Sequence, residues 1–411
     1  MPEDRSTPIA GRWLSIIGLG EDGIEGVSPQ ARRLVESAEL VAGGARHLAL
    51  AGALVRGERL VWPSLLHDAF PAILARRGRP VVVLATGDPF HFGIGKQLVA
   101  LVPVDEILCV PQPSAFSLAA ARLGWALQDI ATISLHGRAL AGIVRHLQPG
   151  ARILALSWDG TTPAKLARLL TERGFGASHL TILEAMGGPH EHVSRSKASD
   201  YDLGDVNALN TIAIEVVADA GARIRSFTPG LDDDAFEHDG QLTKREIRAV
   251  TLSALAPRRG ELLWDIGLGA GSIAIEWLLC DPSLRAIGIE ERADRAARAA
   301  RNALALGATD LDIRTGRAPE ALQELPAPDA IFIGGGLSDP GVLEAAWSAL
   351  KPGGRLVANA VTLESEARLA ALYAERGGEL IRLSLARADR VGGMHGWRPA
   401  MPVTQWRAVK P

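Results

Sequence analysis

A glycine-rich segment at residues 265–272 has the spacing best suited to binding a small molecule. It begins with Asp265 and lies between two apolar runs, an order that predicts a strand, a loop and a helix. Its glycines stand at alternate positions: Gly267, Gly269 and Gly271. Glycines let a backbone approach a ligand where any Cβ would clash. The free amides that open the helix at Ser272 suit an anionic group.

A second strand, predicted at 286–290, ends with Glu290, which is placed to hold the hydroxyls of a ribose. A nicotinamide dinucleotide fingerprint needs its third glycine one position later, where this chain has Ser272. The spacing instead resembles motif I of class I S-adenosylmethionine methyltransferases. We therefore expect a nucleoside-type ligand, with Asp265 either orienting the loop or meeting an amino group of that ligand.

The resemblance to class I methyltransferases continues through an Arg-Ala-Pro-Glu turn at 317–320 and a Lys-Pro-Gly-Gly turn at 351–354. It implies that the following residues contact S-adenosylmethionine: Thr243, Gly267, Leu268, Gly269, Ala270, Gly271, Glu290 and Ala318. Thr243 also opens a capping box with Glu246, so its hydroxyl has two competing roles, helix cap and ligand contact.

Loops at strand ends form a second candidate site in the N-terminal half. Segments 84–95, 111–116 and 159–163 resemble, in order, the motifs of tetrapyrrole methylases, the class III methyltransferases. Such sites bind the cofactor largely through loop backbone. The implied cofactor contacts come from strand-end residues: Gly18, Gly20, Gly87, Asp88, Pro89, Gly93, Ser114, Ala115 and Thr162. Gly18 to Gly23 also has the dinucleotide spacing, but the next helix is predicted only at Ser28-Pro29, after several loop residues.

Apolar runs alternate with helical patterns along the whole chain, which predicts an α/β protein. Strands are predicted at 13–17, 40–42, 81–84, 106–110, 130–134, 152–156, 180–183, 210–216, 286–290, 311–314, 329–333, 354–360, 380–386 and 403–409. A length of 411 residues predicts two domains. We place a two-lobed tetrapyrrole methylase (class III) domain at 1–220, a linker without periodicity at 221–240, and a Rossmann-like class I S-adenosylmethionine methyltransferase domain at 241–411.

The composition narrows the class of protein. With 44 basic and 47 acidic residues and no basic block, we expect no nucleic-acid partner. No apolar run reaches the roughly 20 residues of a membrane span, so no membrane is expected. Two cysteines make a disulfide framework or a cysteine metal site implausible, and the first residues lack a secretory pattern. We therefore expect a cytoplasmic protein without a metal.

Together the two halves resemble the fused methyltransferases of cobalamin (vitamin B12) biosynthesis that act on precorrin-6B, also called 6Y. The resemblance also rests on three further segments, 134–138, 183–191 and 238–246. The resemblance implies methylation at C5 and C15 and decarboxylation of the C12 acetate to give precorrin-8X. It also implies one S-adenosylmethionine for each domain, a homo-oligomer, and transient contact with neighbouring enzymes of the pathway.

Decarboxylation needs a proton donor close to the macrocycle. His238 and His395 are candidates because each is predicted to lie in a linker or loop. His91, in the Gly-Asp-Pro loop, and His136 are the corresponding candidates in the N-terminal half. Two other classes stay open at this point: a non-catalytic tetrapyrrole carrier and a dinucleotide-dependent oxidoreductase.

Overall fold

In the computed structural model, residues 11–411 are described. Residues 1–10, on which the expectation about a secretory pattern rests, lie outside the described range. The chain divides into two compact units. The first unit comprises the described residues up to Arg138 together with Gln148–Arg223. The second unit comprises Ala139–Leu147 and Ile224–Pro411, so residues 224–240 of the predicted linker belong to it.

The first unit contains two five-stranded sheets and six helices. Its strands are β1 Leu14–Leu19, β2 Leu40–Gly43, β3 Glu58–Val61, β4 Val81–Thr86, β5 Ile107–Val110, β6 Ala131–Ser134, β7 Arg152–Leu156, β8 His179–Glu184, β9 His192–Lys197 and β10 Asn210–Glu215. Its helices are α1 Pro29–Ser37, α2 Ala45–Ala51, α3 Phe70–Leu74, α4 Gly95–Leu98, α5 Ala115–Leu123 and α6 Thr162–Glu172.

The first sheet has the order β3-β2-β4-β1-β5, with every pair parallel. Its central strands β1 and β4 are almost continuously apolar because both faces are covered. The second sheet has the order β6-β7-β10-β8-β9 and is mainly antiparallel. Helix α5 follows β5 of the first sheet but packs its Phe116 against residues of the second, which makes it the link between the two lobes.

The second unit is built on a seven-stranded sheet of order β13-β12-β11-β14-β15-β19-β16. Its strands are β11 Leu262–Ile266, β12 Arg285–Glu290, β13 Leu311–Thr315, β14 Ala330–Ile333, β15 Arg355–Ala360, β16 Glu379–Leu383, β17 Ala386–Val391, β18 Met394–Pro399 and β19 Val403–Val409. Its helices are α7 Arg245–Leu255, α8 Ser272–Cys280, α9 Ala293–Leu306, α10 Val342–Ala349 and α11 Leu363–Arg376. Strands β11 to β15 pair in parallel, whereas β19 runs antiparallel to both of its neighbours, β15 and β16. The hairpin β17–β18 forms a separate exposed ribbon.

The alternating α/β pattern is confirmed, including the helix start at Ser28, whose hydroxyl accepts a hydrogen bond from the Ala31 amide. Three elements were missed: β3, β9 and the hairpin β17–β18. Each is exposed at a sheet edge or outside the main sheets, so no buried face imposes an apolar pattern on its sequence. The strand predicted at 380–386 ends at Leu383.

The capping box predicted at Thr243 is wrong. Helix α7 begins at Arg245, its N-cap position is Lys244, and no side chain caps it. The physical reason is that Glu246, the second member of the predicted box, pairs its carboxylate with Arg387 of β17. The competition for the Thr243 hydroxyl is therefore removed.

A buried arginine holds the start of the second unit together. The Arg248 side chain is fully buried on α7, and its Nε donates to Glu276 Oε1 of α8 at 2.6 Å. Glu276 also accepts the amides of Gly230 and Leu231, at 2.6 and 3.0 Å. The Arg248 guanidinium lies 4.7 Å from the ring centroid of Phe236. This network fixes residues 230–236 against both helices.

We expect Arg248→Ala to lower the free energy of unfolding of the second unit by about 3–5 kcal/mol, because Glu276 would stay buried without its cation. Denaturant unfolding followed by circular dichroism measures this. The matched control is Arg245→Ala on the same helix, whose ion pair with Asp232 is exposed; its expected loss is below about 1 kcal/mol. Equal losses for the two variants would contradict a special role for the buried pair.

Candidate functional sites

The glycine loop of the second unit connects β11 to α8 at the centre of the sheet. The amides of Gly267 and Leu268 both donate to the Ile289 carbonyl at 3.0 Å, which ties the loop to the end of β12. Gly267 has a φ of +76°. A Cβ at this position would lie 2.7 Å from the Gly335 amide nitrogen, in the loop after β14. Only glycine allows the two strand-end loops to come this close.

Two carboxylates organise this loop. Asp265 is 1% exposed, and its Oδ2 accepts the Ala274 amide at 3.1 Å, in the first turn of α8. Burial raises the pKa of the Asp265 carboxyl to about 8; Glu290 raises it further and the Ala274 amide opposes the shift. Glu290 accepts the amides of Gly269 at 2.8 Å and Arg292 at 3.1 Å. Asp265 therefore orients the helix start, and Glu290 fixes the middle of the loop.

Side chains at the variable loop positions point into the protein core. Leu268 and Ala270 are each 5% exposed. The side chain of Leu268 packs over Gly288, where an ideal Cβ would lie 2.6 Å from the leucine methyl carbons. Their contacts with a ligand would consequently come from backbone atoms. Gly288 was not singled out from the sequence, although a glycine inside a buried strand signals such a close approach.

Asn302 on α9 is a second residue that sequence reasoning missed. It is 3% exposed, and its Nδ2 donates to the carbonyls of Ala270 at 2.8 Å and Glu237 at 2.9 Å. Its Oδ1 accepts the Glu237 amide at 2.8 Å. The residue before His238 is thereby tied to the glycine loop. The available signal was a polar residue among the alanines on the buried face of an amphipathic helix.

The remaining predicted residues of the second unit occupy different settings. Thr243 and Ala318 are partly exposed, and Ala318 packs beside the core. His238 lies in an exposed loop, where its Nδ1 accepts the Gly240 amide at 3.0 Å. The prediction that His395 lies in a loop is wrong: it is an exposed residue within β18, paired with Arg390 in the hairpin. The polar, exposed hairpin sequence concealed this strand.

In the first unit, the predicted loops meet at the carboxyl ends of β1, β4 and β5, which are neighbours in the sheet. A Cβ on Gly18 would lie 2.0 Å from the Gly87 carbonyl oxygen, and one on Gly87, whose φ is +54°, would lie 2.7 Å from the Pro113 carbonyl oxygen. Gly93 is equally tight against Pro89. The structure thus brings together the predicted cofactor contacts that lie at or after the ends of these three strands: Gly18, Gly20, Gly87, Asp88, Pro89, Gly93, Ser114 and Ala115.

Polar side chains in this set are engaged by local backbone. Asp88 Oδ1 accepts the Phe90 amide at 2.8 Å, and Ser114 caps α5 by accepting the Ser117 amide at 3.1 Å. Thr162 lies on the other lobe, after β7. Its hydroxyl accepts the amides of Trp158 and Asp159, at 3.2 and 3.1 Å, so it stabilises its own turn. Ligand contacts here would again come mainly from backbone.

The two histidine candidates of the first unit face aromatic rings. The ring centroids of His91 and Phe116 are 4.6 Å apart, and Arg138 lies 5.6 Å from the ring centroid of Phe92. His136 is exposed and lies 6.3 Å from the ring centroid of Trp158, which is itself exposed. Phe116 is buried, but Phe92 and Trp158 are exposed, so these two rings with Arg138 beside Phe92 are suited to a planar, carboxylate-bearing ligand.

A charged cluster at the same sheet edge was not predicted from the sequence. Arg46 forms an ion pair with Glu21, and its Nη2 donates to the Thr86 hydroxyl at 3.0 Å. His47 Nε2 lies 2.8 Å from the same hydroxyl. Burial, with a further contribution from Arg46, lowers the pKa of His47 to about 4, so its imidazole is neutral at physiological pH. These four residues come from three separate segments, the turn after β1, the start of α2 and the end of β4, so no local motif identified them.

Within residues 11–411, no group of three or more potential metal ligands converges. In the same range, no helix has the length and apolar character needed to cross a membrane.

We expect the stability of the unliganded protein to fall as pH rises from about 4 to 8 because of Asp265. The folded protein keeps a proton on this group in that range while the unfolded chain has lost it, so the unfolded state binds fewer protons and stability decreases with pH. Urea unfolding across the range should show a flatter dependence for Asp265→Asn. The control is Asp294→Asn, where the hydrogen bond from Arg292 lowers the pKa of an exposed carboxyl. An unchanged slope in Asp265→Asn would contradict the assignment.

Comparison with known proteins agrees with this geometry. Residues 14–202 match the tetrapyrrole (corrin/porphyrin) methylases, and residues 234–410 match the precorrin methyltransferase domain. A Sinorhizobium protein named precorrin-6Y C(5,15)-methyltransferase (decarboxylating) is 57% identical over 98% of this chain and 97% of its own length. Salmonella typhimurium cobalt-precorrin-7 C(5)-methyltransferase is 30% identical over 48% of this chain and 98% of its own length. A probable cobalt-precorrin-6B C(15)-methyltransferase (decarboxylating) of Pyrobaculum calidifontis is 37% identical over 40% of this chain and 88% of its own length. The chain belongs to the precorrin-6Y C(5,15)-methyltransferase (decarboxylating) family.

Proposed function

We propose that this protein methylates precorrin-6B at C15 and C5 and removes the carboxyl group of its C12 acetate, giving precorrin-8X. One observation carries the proposal. Each unit has a glycine-lined loop cluster at the carboxyl ends of parallel strands, in a chain that aligns almost completely with a precorrin-6Y C(5,15)-methyltransferase. Neither a carrier nor a dinucleotide-dependent oxidoreductase accounts for that full-length similarity.

We assign decarboxylation and C15 methylation to the second unit, and C5 methylation to the first. Support comes from the family matches, because the precorrin methyltransferase domain covers residues 234–410 and the tetrapyrrole methylases cover residues 14–202. Two shorter relatives carry these activities separately in their names. The C15 relative is named for cobalt-precorrin-6B and the C5 relative for cobalt-precorrin-7, which supports the proposal that the second unit acts before the first.

We further propose one S-adenosylmethionine for each unit. When bound, it supplies a methyl group on a positively charged sulfur. In the second unit, the amides at the start of α8 would hold its carboxylate, and Glu290, whose oxygens retain free lone pairs, would accept its ribose hydroxyls. In the first unit, loop backbone around Gly87 would bind it. Positioning of this kind supplies roughly 7–11 kcal/mol of a displacement barrier in well-oriented systems.

His238 remains our candidate for the proton donor in decarboxylation. Its support is positional, since Asn302 binds both Glu237 and the glycine-loop residue Ala270 and so holds this segment beside the loop. In the first unit, His91 and His136 are candidates for removing the proton that the meso carbon loses after methylation. Both lie against aromatic rings on the strand-end loops.

The resemblance to this family also supports a homo-oligomer that works in contact with neighbouring pathway enzymes in the cytoplasm. Light scattering of the purified protein measures its oligomeric state directly.

The division of labour is tested by silencing one unit at a time in the full-length chain. We expect Glu290→Gln to weaken S-adenosylmethionine binding in the second unit about ten- to hundredfold, because a charge-assisted hydrogen bond is lost. With precorrin-6B as substrate, carbon dioxide release and C15 methylation then fall together. Gly87→Ala places a Cβ 2.7 Å from the Pro113 carbonyl oxygen, and should yield a decarboxylated product with a single added methyl group.

The control for Gly87→Ala is Gly78→Ala, whose φ of +83° also lies in the left-handed region but whose Cβ would have no neighbour within 4 Å. Mass spectrometry of the products distinguishes the outcomes. If Glu290→Gln still releases carbon dioxide at the wild-type rate, the assignment to the second unit is wrong. If wild-type protein binds tetrapyrrole without transferring a methyl group, the chain is a carrier.

A further inference from the structure

The cluster of Glu21, Arg46, His47 and Thr86 lies where a substrate of the first unit would have to bind. Glu21 follows β1, Thr86 ends β4, and Arg46 lies in the first turn of α2 after β2. Since β2, β4 and β1 are adjacent and parallel, these residues share the sheet edge that carries the glycine loops. Thr86 directly precedes Gly87 in the chain.

Glu21 also touches the other lobe of the first unit. A Cβ on Gly188, in the turn after β8, would lie 2.6 Å from the Glu21 Cβ. The cluster therefore lies at the junction of the two lobes, beside the cofactor loops. A ligand that reaches between the lobes to the cofactor would pass this point.

We propose that Arg46 binds a carboxylate side chain of the tetrapyrrole substrate in the first unit, and that Glu21 occupies the guanidinium until the substrate arrives. This inference rests on the proposed function of the first unit. A tetrapyrrole with acetate and propionate side chains offers several carboxylates, and the planar fork of an arginine suits them.

The neighbours of Arg46 orient its guanidinium so that a substrate carboxylate can replace Glu21 as its counter-ion. An arginine only donates hydrogen bonds, so the neutral His47 accepts at Nε2, 3.1 Å from Arg46 Nη2, and carries its proton on Nδ1. Thr86 Oγ1 accepts from the same guanidinium nitrogen at 3.0 Å. Both contacts fix the orientation of the fork without neutralising its charge. Glu21 is therefore the only one of these three neighbours that balances the positive charge.

Part of the Arg46 side chain is open to solvent. It is 37% exposed and the Glu21 side chain is 21% exposed, whereas the two paired atoms, Arg46 Nη1 and Glu21 Oε1, are themselves buried. A buried guanidinium nitrogen requires a counter-charge, so a substrate carboxylate that displaces Glu21 would have to take over that role.

The test uses full-length protein and the decarboxylated, singly methylated intermediate, with methyl transfer to C5 followed by mass spectrometry. We expect Arg46→Gln to raise KM for this tetrapyrrole about ten- to hundredfold, while the Kd for S-adenosylmethionine stays unchanged. Arg46→Lys should recover the activity only in part, because a lysine lacks the planar fork. Glu21→Gln should lower KM, because it removes the competing carboxylate.

Opposite signs for the Arg46 and Glu21 variants separate this role from a structural one. A pair that only holds the loops together would lose activity and stability in both variants, and that result would overturn the proposal. Arg56→Gln is the control, since Arg56 belongs to the same lobe and forms an exposed ion pair with Glu36. If wild-type protein leaves the intermediate unchanged, the proposed function of the first unit fails. If wild type methylates it and Arg46→Gln keeps the wild-type KM, only the role of Arg46 fails.

Discussion

Backbone contacts that leave no room for a Cβ determine where both sites form. In the first unit, Gly18 meets Gly87, and in the second, Gly267 meets Gly335. Each contact joins loops at the carboxyl ends of adjacent parallel strands. Strand-end loops and helix starts thereby come together at one edge of each sheet. Ligands of open α/β sheets bind in this crevice.

The two units solve the same binding problem with different chemistry. The second unit has buried carboxylates and a helix start, and burial raises the pKa of Asp265 to about 8. The first unit uses short loops whose polar side chains bond their own backbone, as Asp88 and Ser114 do. The site proposed in the second unit could therefore change its charge when a cationic ligand binds, whereas the site proposed in the first unit would depend on the shape of its loops.

The sequence was sufficient to predict those parts of the fold and sites that local spacing determines. The strands around residues 265–272, the helix start at Ser28 and the Gly-Asp-Pro loop all follow from short patterns and were found where expected. Elements without a buried face were missed, because exposed strands such as β9 carry no apolar alternation. Thr243 was wrongly predicted to cap the helix because a capping box considers only four consecutive residues. The glutamate of that box, Glu246, instead pairs with Arg387, which lies 141 positions further along the chain.

Residues that act through long-range contacts could not be predicted from short sequence patterns for the same reason. Asn302 lies 32 positions from the loop carbonyl that it binds, and Arg46 lies 40 positions from Thr86. No spacing rule links such pairs, because their distance in the chain is set by the intervening helices and strands. Only the order of strands in the sheet brings them together.

Separate cores explain how one chain can carry two reactions on one substrate. The glycine loop of the second unit packs into a cluster that contains Leu268 and Trp277, whereas the loops of the first unit rest on clusters that contain Leu19 and Phe116. None of these apolar clusters contains residues from both units. A change at one glycine loop therefore strains its own core and leaves the packing beneath the other loop intact. Under the proposed division of labour, each site is free to adapt its loops to one carbon of the macrocycle, and the covalent link keeps the two activities at equal concentration.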